Sequence, residues 1–336
     1  MKHMFFALAL ISGAVPAMAD TLPGYDRLDI DATHRARLIA ASIWYPAGGA
    51  NYVVPIGDGP IFEPTRAIFG AAVAEGRHPL VLLSHGSGGN ADGLGWLSAG
   101  LAMRGAIVLA VNHPGSTSGD SSAWRSLDMG ARAGDLGAAL DQVLADPAFA
   151  AFIDTDRIHT VGFSLGGATA LGLGGARLDA EVQQANCTAN PQAADCRFFL
   201  RRGVDFRQAQ GFDADTRDER VSRVVAVDPG FLGALNTVSL TGMAPVHLVN
   251  LGEGADLIAA ADAGPDGHDL VTRIAGATYS VFAPASHFSF LGTCKPGAED
   301  ILADDDDDPI CTDPAGTDRP ALHQALIADI AGALGL

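Results

Sequence analysis

The fold is decided by residues 158–171, which read IHTVGFSLGGATAL. Ile158 to Val161 has the short, largely apolar composition of a buried strand, and a helix-forming string starts at Ala168. Between them, the order G-x-S-x-G is typical of a sharp turn that lifts a serine hydroxyl above a sheet. This spacing predicts that Ser164 is a nucleophile.

The glycines on either side of Ser164 have a steric reason. Gly162 and Gly166 stand two positions before and two positions after it, where a Cβ would collide with the backbone of so tight a turn. The serine then lies at the N-terminus of the next helix, whose dipole favours a developing negative charge. The alternative is an idle serine in a glycine-rich turn, and the flanking strand and helix argue against it.

A second glycine-rich turn follows the apolar run Leu80 to Ser84 and reads His85-Gly86-Ser87-Gly88-Gly89. A turn of this kind after a strand supplies a backbone N–H group to an oxyanion hole, together with the residue that follows the nucleophile. We therefore assign the two oxyanion donors to the backbone N–H groups of Ser87 and Leu165. His85 is expected to brace the loop rather than to transfer a proton.

A serine hydroxyl is a poor nucleophile until a base accepts its proton. Of the ten histidines in the chain, His287 lies just past the last predicted strand, in the segment APASHFSF, where a loop can reach the elbow. The chain order serine, acid, histidine also requires a histidine near the C-terminus. The sequence predicts that His287 is the base.

Two aspartates are candidates for the acid that orients this histidine. Asp228 ends the apolar run Val224 to Val227, whereas Asp256 follows the next strand in a looser loop rich in glycine and alanine. A carboxylate at either strand end would hold the imidazole in the correct tautomer. Asp228 is favoured because the apolar run would desolvate it, and Asp256 is the alternative acid.

Short apolar runs alternate with longer helical patterns along most of the chain. Strands are predicted at 38–44, 80–84, 106–111, 157–163, 221–227, 246–251 and 278–283, and helices at 93–103, 126–144, 165–172 and 319–333. Most of the strand runs are continuously apolar, which is typical of strands buried on both faces of a mainly parallel sheet. Repeated βα units predict an α/β fold, doubly wound, with helices on both faces.

Two stretches, about 48–76 and about 177–220, interrupt this alternation. Both are expected to be loop or lid insertions over the site, and a surface excursion without a function is the alternative. The chain after residue 19 has the length of one large α/β domain with insertions. We therefore predict a single domain over residues 20–336.

The N-terminus has the pattern of a secretory signal peptide over residues 1–19. The charged start Lys2-His3 precedes an apolar run from Met4 to Val15, and the small residues of Ala17-Met18-Ala19 follow. The run is shorter than the ~20 apolar residues that span a bilayer, and a retained anchor is the alternative. Cleavage before Asp20 would give a periplasmic or secreted protein without stable membrane insertion.

The four cysteines form two close pairs in the sequence, Cys187 with Cys196 and Cys294 with Cys311. Three connectivities are formally possible, and disulfides persist in exported proteins. Local pairing within each doublet is favoured because each bond would close a loop rich in glycine, aspartate and proline. Neither pair has the short spacing of a zinc site.

The net charge of −18 argues against binding to nucleic acids or anionic membranes, which require a basic face. With 48% hydrophobic and 18% charged residues, the chain has enough apolar surface to bury a large core. The run Asp304 to Asp308 offers hard oxygen ligands of the kind that bind Ca²⁺, but it lacks the spacing and central glycine of an EF-hand. We therefore interpret it as a solvated acidic loop, and weak ion binding is the alternative. No metal and no cofactor is predicted.

Four segments resemble the bacterial predicted dienelactone hydrolases and their relatives, the platelet-activating-factor acetylhydrolases. The segments are Leu80 to Gly89, Val111 to Ser116, the elbow at Ser164, and His287 to Leu291. The likeness extends from about Leu38 to the final helix. It implies an α/β-hydrolase fold, with the triad acid at Asp228 and the oxyanion donors at Ser87 and Leu165.

The same resemblance implies an activity on carboxylic esters. True dienelactone hydrolases use a cysteine nucleophile and place the acid one strand later, so Ser164 argues against a literal lactonase. The expected substrate is a small-molecule or lipid-like ester, cleaved through an acyl-enzyme without a cofactor. The alternatives are an acyltransferase or a peptidase with the same triad, and a non-catalytic exported binding protein with a hydrolase fold.

Overall fold

The structure of the chain is a computed structural model that describes residues 21–304 and 307–336. The predicted signal peptide, residues 1–19, lies outside the described residues. So does the middle of the predicted acidic loop, at residues 305–306.

A twisted sheet forms the centre of the described chain. The strands are β1 (Gly24–Ile30), β2 (Ile39–Tyr45), β3 (Tyr52–Ile56), β4 (Thr65–Phe69), β5 (His78–Ser84), β6 (Ile107–Val111), β7 (Ser116–Thr117), β8 (Asp120–Ser121), β9 (Ile153–Phe163), β10 (Val221–Val227), β11 (Val246–Leu251) and β12 (Thr278–Phe282). Ten of them form one sheet in the order β12-β11-β10-β9-β5-β6-β2-β1-β4-β3, and β7 and β8 form a separate hairpin.

Six neighbouring strands, from β12 to β6 in that order, run parallel to one another. β2 pairs antiparallel with β6 and with β1, and β3 pairs antiparallel with β4. The carboxyl ends of the six parallel strands therefore lie along the same edge of the sheet. The prediction of a mostly parallel sheet is confirmed.

The helices cover both faces of this sheet. They are α1 (Gly95–Ala102), α2 (Met129–Ala145), α3 (Leu165–Leu173), α4 (Ala180–Ala189), α5 (Ala194–Leu200), α6 (Leu270–Arg273), α7 (Ala298–Asp304) and α8 (Arg319–Leu334). Leu80 and Leu82 of β5 pack in one apolar core with α2 and α3, whereas Val81 and Leu83 pack in a second core with α1 and α8. This alternation explains why the strand is apolar at every one of these positions.

The two stretches expected to be insertions contain regular elements. Residues 48–76 include β3 and β4, which extend the sheet at its antiparallel edge. Residues 177–220 include α4 and α5, and Phe199 and Phe206 of this segment join an aromatic cluster with Phe231, just after the end of β10. The second stretch is thus anchored beside the loop that begins at Asp228.

The cysteines form two local disulfides, Cys187 with Cys196 and Cys294 with Cys311. The first joins α4 to α5 within the inserted segment. The second closes the loop that contains α7 and leads to α8. Both pairs are the local pairs favoured from the sequence.

Within residues 21–304 and 307–336, no cluster of three or more histidine, cysteine, aspartate or glutamate side chains has the arrangement of a metal site. None of the helices in the described part of the chain has the length and apolar character needed to cross a bilayer.

Several histidines are buried in the neutral form. Burial lowers the pKa of His113, His159 and His323 from the ordinary value of 6.5 to about 4. An unfolded chain therefore binds more protons than the folded protein between pH 6.5 and pH 4. Stability is fully present above this window and is lost as the pH falls through it.

We predict that the melting temperature falls as the pH is lowered from 7 to 4. His323, which stacks on Trp96 with ring centroids 3.8 Å apart, accounts for on the order of 3 kcal/mol of this loss. His323→Phe keeps an aromatic ring in this position but does not titrate. Calorimetry across the pH range should give a shallower slope for the variant, and an unchanged slope would contradict the assignment.

Candidate active site

The turn at Ser164 has the strained geometry expected of a nucleophile elbow. Ser164 has φ 56° and ψ −121°, directly between β9 and α3. A Cβ at Gly162 would lie 1.9 Å from the carbonyl oxygen of Gly166, and a Cβ at Gly166 would lie 2.0 Å from that of Ser84. Both glycines are therefore required by close backbone contacts.

Ser164, His287 and Asp228 are joined by two hydrogen bonds. His287 Nε2 lies 3.1 Å from Ser164 Oγ, and His287 Nδ1 lies 2.9 Å from Asp228 Oδ2. The three residues follow β9, β12 and β10, so they come from the same edge of the sheet. The structure brings together the nucleophile, the base and the favoured acid predicted from the sequence.

The carboxylate of Asp228 is buried and fixed from both sides. Asp228 is 1% exposed and has a backbone φ of 41°. Oδ1 accepts hydrogen bonds from the Leu251 backbone N–H and from Asn250 Nδ2, each at 2.9 Å. Since Oδ1 is occupied in this way, Oδ2 is left to receive the His287 N–H. This arrangement selects the imidazole tautomer whose Nε2 can accept a hydrogen bond from Ser164 Oγ.

The alternative acid, Asp256, is not part of this group. It is exposed in the loop after β11, and it makes no hydrogen bond with His287. Its backbone N–H bonds to the carbonyl oxygen of Glu253, which closes a local turn. The bond between Asp228 and His287 therefore favours Asp228 as the acid.

His287 is held by an aromatic contact and by a polar anchor. Its ring lies 4.6 Å from that of Phe163, between centroids, and Phe163 in turn stacks on Phe290 at 4.5 Å. His287 begins a 3₁₀ turn that also contains Ser289. Ser289 Oγ donates to Asp313 Oδ1 at 2.6 Å.

Asp313 connects this turn to the final helix. Arg319 donates to both of its carboxylate oxygens, at 2.9 and 2.8 Å. Although burial favours the protonated form, the hydrogen bonds from Arg319 and Ser289 lower the pKa of Asp313. The ion pair is thus charged at neutral pH and ties the histidine turn to α8.

These supporting residues were not predicted from the sequence. Ser289 lies within the quoted histidine segment, and its spacing from Ser286 gave the one available signal, that of a capped turn. Asn250 and Asp313 had none, because Asn250 acts on Asp228, 22 positions away, and Asp313 acts on Ser289, 24 positions away.

The two predicted oxyanion donors lie on segments that meet at the elbow. A Cβ at Gly86 would be 3.1 Å from Ser164 Cβ, so the loop after β5 touches Ser164. Neither the Ser87 nor the Leu165 backbone N–H donates to an acceptor within the part of the chain that the structure describes. Both are available to a developing oxyanion.

The buried side chain of His85 supports the glycine-rich loop after β5. It is 1% exposed; its Nδ1 donates to the Gly86 carbonyl oxygen at 2.7 Å, and its Nε2 accepts from the His113 backbone N–H at 3.1 Å. Burial lowers the pKa of His85 well below its ordinary value. With both ring nitrogens occupied, the side chain is placed to support the loop.

Comparison with known proteins supports the fold. The chain is similar to the ferulic acid esterase from Streptomyces cinnamoneus, with a TM-score of 0.56 and 19% identity over 95% of this chain and 91% of that chain. It also matches the dienelactone hydrolase from Anabaena variabilis ATCC 29413 (TM-score 0.48, 15% identity, 93% and 98% of the two chains). Esterase Est22 gives a TM-score of 0.48 and 12% identity over 94% and 81%.

No protein-family model matches the chain, and no curated protein matches it in sequence. The first structural likeness, together with the strand order, shows that the chain has the α/β-hydrolase fold. The predicted fold is confirmed.

The variants Asp228→Asn and Asp256→Asn test which of the two aspartates is the acid that orients His287. Loss of the Asp228 charge is expected to lower kcat for an activated ester on the order of 10⁴-fold, because asparagine favours the wrong histidine tautomer. Asp256→Asn serves as the matched control and is expected to keep kcat close to that of the wild type. A larger loss from Asp256→Asn would reverse the assignment.

Proposed function

We propose that the chain is an exported serine hydrolase that cleaves carboxylic esters through an acyl-enzyme on Ser164. The observation that carries this proposal is the continuous hydrogen-bond chain from Ser164 Oγ through His287 to the buried Asp228. Its members play the parts of nucleophile, base and orienting acid. The two unpaired N–H groups beside the serine would complete the site.

The reaction follows from these positions. His287 Nε2 accepts the hydroxyl proton as Ser164 Oγ attacks the ester carbonyl carbon. The negative charge then develops on the carbonyl oxygen, where the N–H groups of Ser87 and Leu165 stabilise it. The alcohol leaves with the proton from His287, and a water molecule repeats the sequence on the acyl-enzyme. Asp228 stays ionised and stabilises the imidazolium.

Esters are favoured over other acyl compounds on two grounds. The segments around Ser164 and His287 resemble those of ester-cleaving families, and the structurally similar protein from Streptomyces cinnamoneus is a ferulic acid esterase. A small-molecule or lipid-like ester is the proposed substrate class. An acyltransferase or a peptidase would use the same triad, so the acceptor and the leaving group must be measured.

The reactive serine is tested by mass spectrometry after treatment with a fluorophosphonate probe. We expect the label on Ser164, and we expect Ser164→Ala to lower hydrolysis of p-nitrophenyl esters on the order of 10⁶-fold. Thr33→Ala, which removes an exposed hydroxyl in the turn between β1 and β2, is the control and should retain both labelling and turnover. Labelling at another residue, or full turnover by Ser164→Ala, would refute the proposal.

The same assay separates the alternatives. Transfer to an added alcohol in preference to water would identify an acyltransferase, and faster cleavage of p-nitroanilides than of esters would identify a peptidase. A folded protein that neither reacts with the probe nor turns over any ester would be a binding protein with a hydrolase fold.

Export is proposed from the N-terminal pattern, and the two disulfides are compatible with an oxidising compartment. N-terminal sequencing of the exported protein is expected to begin at Asp20, and thiol titration should find the cysteines oxidised. Leu8→Arg places a charge in the apolar run and should leave the precursor in the cytoplasm. Export of an uncleaved chain starting at Met1 would contradict the cleavage site.

A further inference from the structure

A buried arginine, Arg132, contacts the loop after β5 that carries Ser87. It has no role in the proposed reaction steps. Arg132 belongs to α2 and is 1% exposed. It forms no ion pair with any carboxylate in residues 21–304 or 307–336. Asp135, about one turn further along α2, is already bound by Arg35, His34 and His113.

The guanidinium of Arg132 is instead satisfied by neutral oxygens. Nε donates to Thr169 Oγ1 at 2.9 Å, and Nη2 donates to Ser84 Oγ at 3.1 Å and to the His85 carbonyl oxygen at 2.7 Å. Nη1 donates to Ser116 Oγ. Burial lowers the pKa of Arg132 to about 9, so the side chain is still charged at neutral pH.

Apart from Ser116 Oγ, these oxygens belong to the segments that carry the two proposed oxyanion donors, namely β5 with the loop that follows it, and α3. The His85 carbonyl is in the peptide immediately before Gly86 and Ser87. On the other side, Thr169 Oγ1 donates in turn to the Leu165 carbonyl oxygen at 3.0 Å. The planar guanidinium of Arg132 therefore links the loop after β5 to the first turn of α3.

Ser116 extends this link to the β7–β8 hairpin, which holds the outer part of the same loop. The Ser116 carbonyl oxygen accepts from the Gly88 N–H at 2.8 Å, and Thr117 Oγ1 donates to the Gly89 carbonyl oxygen at 3.0 Å. The loop is thus held at His85 by Arg132 and beyond Ser87 by the hairpin that Arg132 also contacts.

We propose that Arg132 is a positioning residue for the oxyanion site, where it fixes the spacing between the Ser87 and Leu165 N–H groups. This role rests on the proposed function. Donors act on an oxyanion only when they are preorganised within about 2.7 to 3.1 Å of its position. Charge-assisted hydrogen bonds from a rigid fork restrict such movement more than neutral bonds do.

The direct test is Arg132→Lys, which keeps a positive charge but cannot reach all four oxygens in one plane. We expect kcat/KM for a p-nitrophenyl ester to fall on the order of 10- to 100-fold, with KM within about twofold of the wild type. Binding of an alkyl boronic acid, which forms a tetrahedral adduct on a serine, should weaken by the same factor as kcat/KM. If Arg132 only stabilised the fold, kcat/KM and the affinity for the boronic acid would not fall by the same factor.

Arg35→Gln is the matched control. Arg35 holds the buried Asp135 through two hydrogen bonds of 2.7 Å in the same network, but it makes no hydrogen bond with the loop after β5 or with α3. It is expected to lower the melting temperature while leaving kcat/KM and boronate affinity unchanged. Thr169→Val removes a single acceptor of Arg132 and tests the same role if Arg132→Lys does not fold.

The outcomes separate this inference from the proposed function. Full activity of Ser164→Ala would refute the hydrolase itself. If Ser164 is essential but Arg132→Lys and Thr169→Val leave kcat/KM unchanged, Arg132 is not a positioning residue. The inference is also overturned if kcat/KM falls while boronate affinity stays at the wild-type level, since the oxyanion donors would then be intact.

Discussion

The site depends on one close approach of backbone to backbone, where the turn after β9 meets the end of β5. Gly166 lies so near Ser84 that no side chain fits between them, and the loop at Gly86 touches Ser164 itself. This contact sets the height of the serine above the sheet and brings the glycine-rich loop within reach of it. The parallel pairing of β5 with β9 maintains the contact, because the two strands end at the same level.

Two buried ionic groups stabilise opposite sides of this contact in different ways. Asp228 accepts a backbone N–H and an asparagine amide, and it directs its free oxygen at His287. Arg132 donates to neutral oxygens on the other side of the serine. A buried charge is costly unless hydrogen bonds satisfy it. Each group therefore needs its surroundings to be correctly folded, and each in turn restricts those surroundings.

Much of the fold was predictable because the central strands carry continuous apolar runs. The strand β1 was missed since Asp26, Arg27 and Asp29 give it a half-exposed pattern, and β3 and β4 were missed since their edge hairpin is short and largely exposed. Ser164 and His287, the proposed nucleophile and base, could be chosen from local spacing, and the structure places Ser164 Oγ and His287 Nε2 3.1 Å apart. For the acid, the local pattern favours Asp228 but leaves Asp256 as an alternative, because both aspartates follow strands. The difference between them lies in the pairing of β10 with β11, which brings Leu251 to the carboxylate.

The hydrogen bonds of the triad join residues that are far apart in the chain. Ser164 and His287 are separated by 123 positions, and Asp228 and His287 by 59. Loops of this size close late and at an entropic cost. A partly folded chain would carry Ser164 without His287 beside it, so the proposed reactivity depends on the completed sheet rather than on the elbow alone. If the proposed signal peptide exports the chain before it folds, the proposed nucleophile would be assembled only after the membrane has been crossed.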